Sequence, residues 1–289
     1  MFADDLKVYR KINDHRDISL LQHDVNAIKH WCSANGMLLN SSKCFHIKFT
    51  RKRDPIAATY YISNDPIAEI STIRDLGVML DSKLDFRDHI DGIIKKGTRL
   101  AGFVIRQTKF FNDCEIPIIL YNCYVRAILE YCSQIWCPSY AVHIARIEKL
   151  QKQFLYHISY AHNLCQKLPS YESRLQYFKL TTLENRRQIA DIVYLSKLVN
   201  GKLDAPSLTN KLQFAVPRPG SRLHNMKTFS LPLSRTKYCQ HSPLYRMCSA
   251  YNSVSNDIDI FSTSIRCLKL DLLQKWKCYC DHAYSFCLK

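Results

Sequence analysis

The chain has 289 residues and a formal net charge of +16, from 41 Lys and Arg against 25 Asp and Glu. A hydrophobic content of 47% excludes a disordered chain and allows one large core or two smaller ones. The charge predicts a polyanionic partner, and nucleic acid is favoured over a membrane because no long apolar run or signal peptide is visible. The 13 scattered cysteines predict reduced thiols and an intracellular location, nuclear or cytoplasmic.

The first motif in chain order is Phe2-Ala3-Asp4-Asp5, which leads into the alternating residues 6–9. We expect a tight turn that presents Asp4 and Asp5 at the start of a β-strand. Polymerases use such carboxylates to hold Mg²⁺, because a small, hard cation prefers carboxylate and phosphate oxygens. Taken alone, the four residues are more often a solvated acidic turn.

Up to residue 86 the pattern is mixed, with one helix and several short strands. Apolar residues from Leu20 to Trp31 lie at helical spacing, and Asn35-Gly36 predicts the end of that helix. Strands are expected at residues 45–49, around 60–62 and at 76–80.

From about residue 86 onward the spacing is helical. One helix is expected to bury an apolar stripe made of Ile116, Ile119, Leu120, Cys123, Tyr124, Ala127 and Ile128. A second is expected to bury Ile144, Ile147, Leu150, Phe154 and Ile158. Thr181 and Glu184 predict a capping box for a third helix that ends at Asn200-Gly201. Five prolines from Pro206 to Pro243 indicate a loosely ordered connection before a last helix near residues 261–277.

Three sets of residues, in this order and at these distances, carry a family resemblance. They are Trp31–Lys43 with the strand after it, Leu76–Asp81 with Leu84-Asp85-Phe86 and His89, and Tyr124–Tyr131 with Trp136-Cys137-Pro138. Together with the Asp4-Asp5 turn, they resemble the reverse transcriptase of jockey-like non-LTR (LINE-type) retrotransposons. The resemblance runs from residue 2 to about residue 261.

The resemblance implies an α+β, mostly helical fold in three parts. Residues 1–86 would form a partial polymerase palm, a small antiparallel sheet with a helix. Residues 87–165 would form a helical, thumb-like region. Residues 166–289 would form a C-terminal helical region that contains the Pro-rich connection, residues 206–243.

The resemblance also implies an RNA-directed DNA polymerase that uses Mg²⁺, an RNA template and a DNA primer. Asp4 and Asp5 would be its metal ligands and catalytic carboxylates. Lys43 would approach the leaving pyrophosphate, where an ammonium neutralises charge. The hairpin Leu76-Gly77-Val78 would position the primer end. As structural alternatives, Lys43 is a surface lysine at a strand start and Gly77 eases a β-turn.

A basic stripe on the predicted thumb is the candidate nucleic-acid contact. Arg146, Lys149 and Lys152 share one helical face, which would follow the phosphates of a primer–template duplex. A solvated helix face is the alternative. Arg186-Arg187 fits the same description less well. Tyr131 and Trp136 are expected in the core rather than as stacking platforms for bases.

The resemblance begins within the palm, and the family's third catalytic carboxylate and its nucleotide-gripping fingers precede that point. We therefore expect this chain to lack polymerase activity by itself and to bind nucleic acid through its charge. A second alternative is a zinc-binding interaction module built on the cysteine-rich tail. Its candidate ligands are Cys278, Cys280, His282 and Cys287, although their spacing fits no common structural zinc site.

Overall fold

The computed structural model describes residues 5–216 and 227–284, with side chains up to residue 276. The chain divides into two units, residues 1–89 and 90–289, and the division falls inside helix α2 (Arg87–Gln107). Helices dominate and the strands are short, so the mostly helical α+β expectation is confirmed. The predicted boundary at residue 165 lies inside the second unit.

The first unit contains helix α1 (His15–Ala34) and six short strands. The strands are β1 (Phe45–His46), β2 (Tyr61–Ile62), β3 (Asp65–Pro66), β4 (Ala68–Glu69), β5 (Thr72–Asp75) and β6 (Val78–Asp81). Helix α1 begins with a capping box between Asp14 and Asp17 and ends at Asn35, followed by Gly36 with φ of 68°. The helix and its stop signal are as predicted, because only glycine adopts this backbone region without cost.

The strands of the first unit do not form the single antiparallel sheet that we expected. They form three separate two-stranded ladders: β1 pairs with β4 in parallel, β2 with β3 and β5 with β6 antiparallel. Turns interrupt the chain every few residues, so no strand exceeds four residues. The strand expected at residues 6–9 does not form either, and the side chains of residues 5–9 are exposed.

The second unit is helical. After α2 come α3 (Glu115–Leu120), a π-helical turn (Tyr121–Arg126), α4 (Ala127–Glu130), α5 (Ser133–Trp136), α6 (Ala141–Ala161), α7 (Tyr171–Tyr177), α8 (Leu183–Val199), α9 (Pro206–Thr209), α10 (Lys237–Gln240), α11 (Pro243–Asn252) and α12 (Ile265–Tyr284). Of the helices that the structure describes, none has the length and apolar character of a membrane span.

Helix α8 lies at the centre of an apolar cluster in the second unit. Ile192 and Leu195 are fully buried against α11 and α12, together with Phe229. Asn252 fixes the segment around Phe229, because its side chain accepts from the Phe229 N–H at 3.0 Å and donates to the Phe229 carbonyl at 2.8 Å. The described parts of the Pro-rich connection are therefore held in place, since the Ala215 N–H also donates to the Thr228 carbonyl and the Ser230 N–H to the Gln213 carbonyl. Residues 217–226 within it lie outside the described part.

The stretch 115–130 buries a different face from the predicted one. Its buried residues are Pro117, Ile118, Tyr121, Val125 and Leu129, whereas Ile119, Cys123, Tyr124 and Ala127 are exposed. Both faces of this stretch are apolar, so the partner decides between them. Tyr121 stacks on Phe154 of α6 with ring centroids 4.6 Å apart, which selects the observed face.

Two further local predictions met different outcomes. Trp136 is fully buried, as expected, but Tyr131 is exposed, so its assignment to the core was wrong. The capping box at Thr181 and Glu184 was also wrong. Thr182 caps α8 by accepting from the Asn185 N–H at 3.1 Å, while Thr181 is buried.

Candidate nucleic-acid interface

The predicted metal-binding pair is only partly described. Asp4 lies outside the described residues, and Asp5 is exposed. Within residues 5–216 and 227–276, no three His, Cys, Asp or Glu side chains come together as potential metal ligands. The described residues therefore do not complete a Mg²⁺ site, and the roles of Asp4 and Asp5 stay predictions. In the predicted zinc set, Cys278, Cys280, His282 and Cys287 fall outside the described side chains.

Lys43 is the last residue of a 3₁₀ turn, Ser41–Lys43, that leads into β1. The turn is capped by Asn40, whose side-chain oxygen accepts from the Ser42 N–H at 3.1 Å. The Lys43 side chain is exposed, and its ammonium has no acidic partner among the described residues. It is therefore accessible to a phosphate, which is what its predicted role requires.

Leu76-Gly77 is the two-residue loop of the β5–β6 hairpin, between the paired residues Asp75 and Val78. Leu76 and Gly77 have φ of 43° and 88°, the positive values that a type I′ turn requires. Val78 is buried, whereas Leu76 is 49% exposed at the tip. Of the three predicted primer-contacting residues, Leu76 and Gly77 are exposed and Val78 anchors the hairpin.

Asp81, at the end of β6, organises the loop that leads into α2. Its two carboxylate oxygens accept from the backbone N–H groups of Lys83, Asp85 and Phe86 at 2.9, 3.1 and 2.8 Å. These bonds explain the spacing of the Leu80-Asp81…Leu84-Asp85-Phe86 motif. Asp81 therefore has a structural role in this chain.

Two buried polar residues of α6 determine which side of that helix faces outward. The fully buried Gln151 donates to the Tyr171 hydroxyl at 2.8 Å and to the Thr181 carbonyl at 3.0 Å, and it accepts from the Tyr121 hydroxyl at 3.0 Å. Each of these bonds would be lost if the helix rotated. A buried amide without partners is costly, so the network holds α6 in one orientation.

Glu148 strengthens the same arrangement. Its carboxylate accepts from the Tyr171 hydroxyl and from the Leu183 N–H at the first turn of α8, the latter at 3.0 Å. Burial raises the pKa of Glu148, and these hydrogen bonds together with the nearby Arg187 charge oppose that shift. Helices α6, α7 and α8 are thereby joined through one carboxylate.

The opposite side of α6 carries the predicted basic stripe. Arg146, Lys149 and Lys152 are all exposed, as the helical spacing predicted. Arg146 forms an ion pair with Asp91 of α2 at 2.7 Å, so its charge is partly compensated. No acidic side chain pairs with Lys149 or Lys152 in the described part of the chain. These two lysines are the cations of the stripe that remain available to a polyanion.

Comparison with known proteins shows what part of this chain is similar to. No protein-family model matches the chain, and no solved structure matches it. Over 166 residues the chain is 29% identical to the RNA-directed DNA polymerase from mobile element jockey of Drosophila funebris, covering 55% of this chain and 18% of that protein. The chain resembles a jockey-type polymerase.

One further relative supports the resemblance to jockey-type polymerases, and another is uncharacterized. A probable RNA-directed DNA polymerase from transposon X-element of Drosophila melanogaster is 28% identical over 158 residues, covering 53% of this chain and 17% of that protein. An uncharacterized protein of Caenorhabditis elegans is 24% identical over 187 residues, covering 63% of this chain and 92% of that protein. The chain thus spans under a fifth of the two polymerases.

Two tyrosines extend the exposed surface of α6, and sequence reasoning missed them. Tyr156 and Tyr160 are exposed and follow Lys149 and Lys152 at helical spacing. Arg174 lies over the Tyr156 ring at 5.1 Å from its centroid. The alternation of basic and aromatic residues every three or four positions was the available signal. We call the exposed residues Lys149, Lys152, Tyr156 and Tyr160 the α6 face.

Arg186 and Arg187, which fitted the description of a phosphate-contacting stripe less well, make contacts inside the second unit. Arg187 is only 2% exposed. Burial raises the pKa of two carboxyl groups near it, Glu148 and Asp191, and the positive charge of Arg187 opposes that shift. Arg186 forms a two-point ion pair with Glu130. Both arginines therefore stabilise contacts inside the second unit.

Proposed function

We propose that this chain is a segment of a jockey-like RNA-directed DNA polymerase, and that the α6 face binds the DNA primer–RNA template duplex. The observation that carries the proposal is the pair Lys149 and Lys152, two exposed cations without acidic partners in the described residues. Buried hydrogen bonds hold the opposite side of the same helix, so the cations are presented in a defined direction.

The charge of the whole chain supports the same ligand. A net charge of +16 attracts a polyanion at long range, and phosphate contacts give affinity with little sequence preference. The resemblance to polymerases of the jockey type supplies the class of polyanion, an RNA template with a DNA primer. In a whole enzyme of this type, Lys43 and the hairpin tip at Leu76-Gly77 would lie beside the leaving pyrophosphate and the primer end.

We also propose that the 289-residue chain binds without catalysing nucleotide addition. Asp4 and Asp5 are adjacent in the sequence, and among the described residues no three His, Cys, Asp or Glu side chains come together as potential metal ligands. Mg²⁺ gives up its water reluctantly and is held weakly by two neighbouring carboxylates. A separate polypeptide segment with a further carboxylate would complete the site.

Binding is tested by fluorescence anisotropy with a labelled DNA primer–RNA template. The double variant Lys149→Gln/Lys152→Gln is expected to weaken binding and to reduce the slope of log K against log salt by about 2, one for each lost phosphate contact. Arg146→Gln is the matched control. Its slope should change less because Asp91 already pairs with that guanidinium. An unchanged affinity and slope in the double variant would overturn the proposal.

Catalysis is tested by primer extension with Mg²⁺, deoxynucleotides and the same duplex. The wild-type chain is expected to extend no primer, and Asp4→Asn/Asp5→Asn is expected to bind the duplex as the wild type does. Extension that disappears in the double Asn variant would show that the chain is catalytic by itself. That outcome would overturn the non-catalytic part of the proposal and leave the α6 face in place.

A further inference from the structure

Helix α2 packs tightly on one side. Within the second unit its buried stripe is Ile90, Ile93, Gly97, Ala101 and Val104, followed by Thr108 just beyond the helix end. A Cβ at Gly97 would lie 3.0 Å from Leu150 Cδ1 and 3.2 Å from Leu129 Cδ2. The absence of a side chain thus allows α2 to approach α4 and α6 closely. This packing determines the direction in which the opposite side points.

The opposite side of α2 is strongly basic. Its exposed cations, continuing into the turn after the helix, are Lys95, Lys96, Arg99, Arg106 and Lys109. None of the five forms an ion pair with an acidic side chain that the structure describes. Asp91, the nearest acidic residue in α2, already pairs with Arg146. The five charges therefore remain uncompensated along one edge of the unit.

Aromatic side chains lie among these cations. Phe103 is 47% exposed and Phe110 is 88% exposed, and the Lys109 ammonium lies 5.5 Å from the Phe110 ring centroid. An exposed phenylalanine gains nothing from water, whereas its ring face can stack on a nucleobase. Such stacking requires unpaired bases, because a duplex covers the faces of its bases. The combination of cations and open rings is that of surfaces that bind single strands.

We propose that the outer side of α2, Lys95–Phe110, is a second nucleic-acid-binding surface, and that it takes a single strand. Phosphates would lie on Lys95, Arg99 and Arg106, and bases would stack on Phe103 and Phe110. The surface is about 20 Å long at the helical rise of ~1.5 Å per residue. That length matches about six stacked nucleotides at ~3.4 Å each. The inference rests on the proposed nucleic-acid binding but concerns a different surface and a different ligand.

The test compares two probes on the intact chain: a labelled 12-nucleotide oligo-dT and the primer–template duplex. Phe103→Leu/Phe110→Leu is expected to weaken oligo-dT binding about tenfold with an unchanged salt slope, since stacking involves no counterion release. Lys95→Gln/Arg99→Gln is expected to weaken oligo-dT binding and to reduce the slope of log K against log salt by about 1.4, which is ~0.7 for each lost phosphate contact. Tyr124→Leu, an exposed aromatic residue outside α2, is the matched control.

The same variants separate this inference from the proposed function. Duplex binding should be insensitive to the two α2 variants and sensitive to Lys149→Gln/Lys152→Gln. A wild-type chain that binds the duplex but not oligo-dT would overturn the inference and leave the proposed function intact. Equal oligo-dT affinities for Phe103→Leu/Phe110→Leu and the wild type would overturn it as well. Circular dichroism checks folding, which these exposed substitutions should preserve.

Discussion

Arg246 and Asp191 form a two-point ion pair inside the second unit, with Nε–Oδ2 at 2.7 Å and Nη2–Oδ1 at 3.2 Å. The pair joins α11 to α8, and Arg246 also donates to the Gln134 carbonyl at 2.7 Å. Burial raises the pKa of the Asp191 carboxyl, while the guanidinium groups of Arg246 and Arg187 oppose that shift. One arginine thus links the C-terminal helices to the region that carries the interface.

Replacing Arg246 by Met is expected to lower the free energy of unfolding by about 3–5 kcal/mol, because Asp191 is left charged and buried. Without its main partner, the Asp191 carboxyl would have a pKa raised further, so acidification would neutralise it and reduce the loss. Urea unfolding at pH 7.5 and 5.5 measures both effects. The double variant Arg246→Met/Asp191→Leu should recover most of the stability. A double variant as unstable as the single one would contradict this account.

His89 makes the stability of the first unit sensitive to pH. It is buried, and its Nδ1 accepts from the Met79 N–H at 3.3 Å. Burial lowers the pKa of His89, and the charge of Arg74 adds to the shift. In the unfolded chain, His89 takes up a proton near the ordinary histidine pKa of ~6.5. In the folded chain, it stays neutral at that pH and takes up a proton only at lower pH. The contribution of His89 to stability is complete above about pH 6.5 and is lost as pH falls through the folded-state pKa.

The expected result is a fall in the free energy of unfolding as pH drops below about 6.5, and this fall is smaller in His89→Asn. Asparagine offers an oxygen acceptor in place of Nδ1 and does not titrate. The free energies of unfolding of the wild type and of His89→Asn are measured with denaturant at three pH values. Subtracting one from the other at each pH cancels the effect of the other histidines, which both chains share. Identical pH dependence in the two chains would show that His89 is not the responsible group.

Replacing glycine by alanine is expected to have different effects on stability at two positions of α2, Gly92 and Gly97. A Cβ at Gly97 would press on Leu129 and Leu150, whereas nothing lies within 4 Å of a Cβ at Gly92. Gly92→Ala should raise stability by about 0.5–1 kcal/mol through helix propensity. Gly97→Ala adds an overpacking cost of about 1–3 kcal/mol to the same gain, so it should be neutral to destabilising. Thermal melts measure both effects. An equal rise in melting temperature for the two variants would contradict the close packing of Gly97 against Leu129 and Leu150.

Leu76 is held in a backbone conformation that suits asparagine better. Its φ of 43° lies in the left-handed region, and its side chain is half exposed, so little apolar burial would be lost. Leu76→Asn should therefore raise stability by about 1 kcal/mol. If Leu76 contacts the primer as predicted, the same variant should bind the primer–template more weakly. A lowered melting temperature would argue against strain at this position.

Local sequence patterns were enough to predict features that lie within a single helix or turn. The period of Ile147, Leu150, Phe154 and Ile158 predicted the buried side of α6, because no competing apolar stripe runs along that helix. Asn35-Gly36 predicted the end of α1, because the chain there needs a positive φ. The exposure of Lys149 and Lys152 followed from the same periodicity. The family resemblance rested on separate motifs, and two polymerase relatives support it.

Tertiary contacts decided what the sequence left ambiguous. Residues 115–130 offer two apolar faces, and contacts such as that of Tyr121 with Phe154 and Gln151 choose between them. Arg187 has the sequence signature of a surface cation but is buried, because Glu148 and Asp191 from two helices lie close enough to compensate its charge. The basic side of α2 faces outward because Gly97 lets the other side approach its neighbours. Each of these outcomes depends on residues far apart in the chain, which no local pattern brings together.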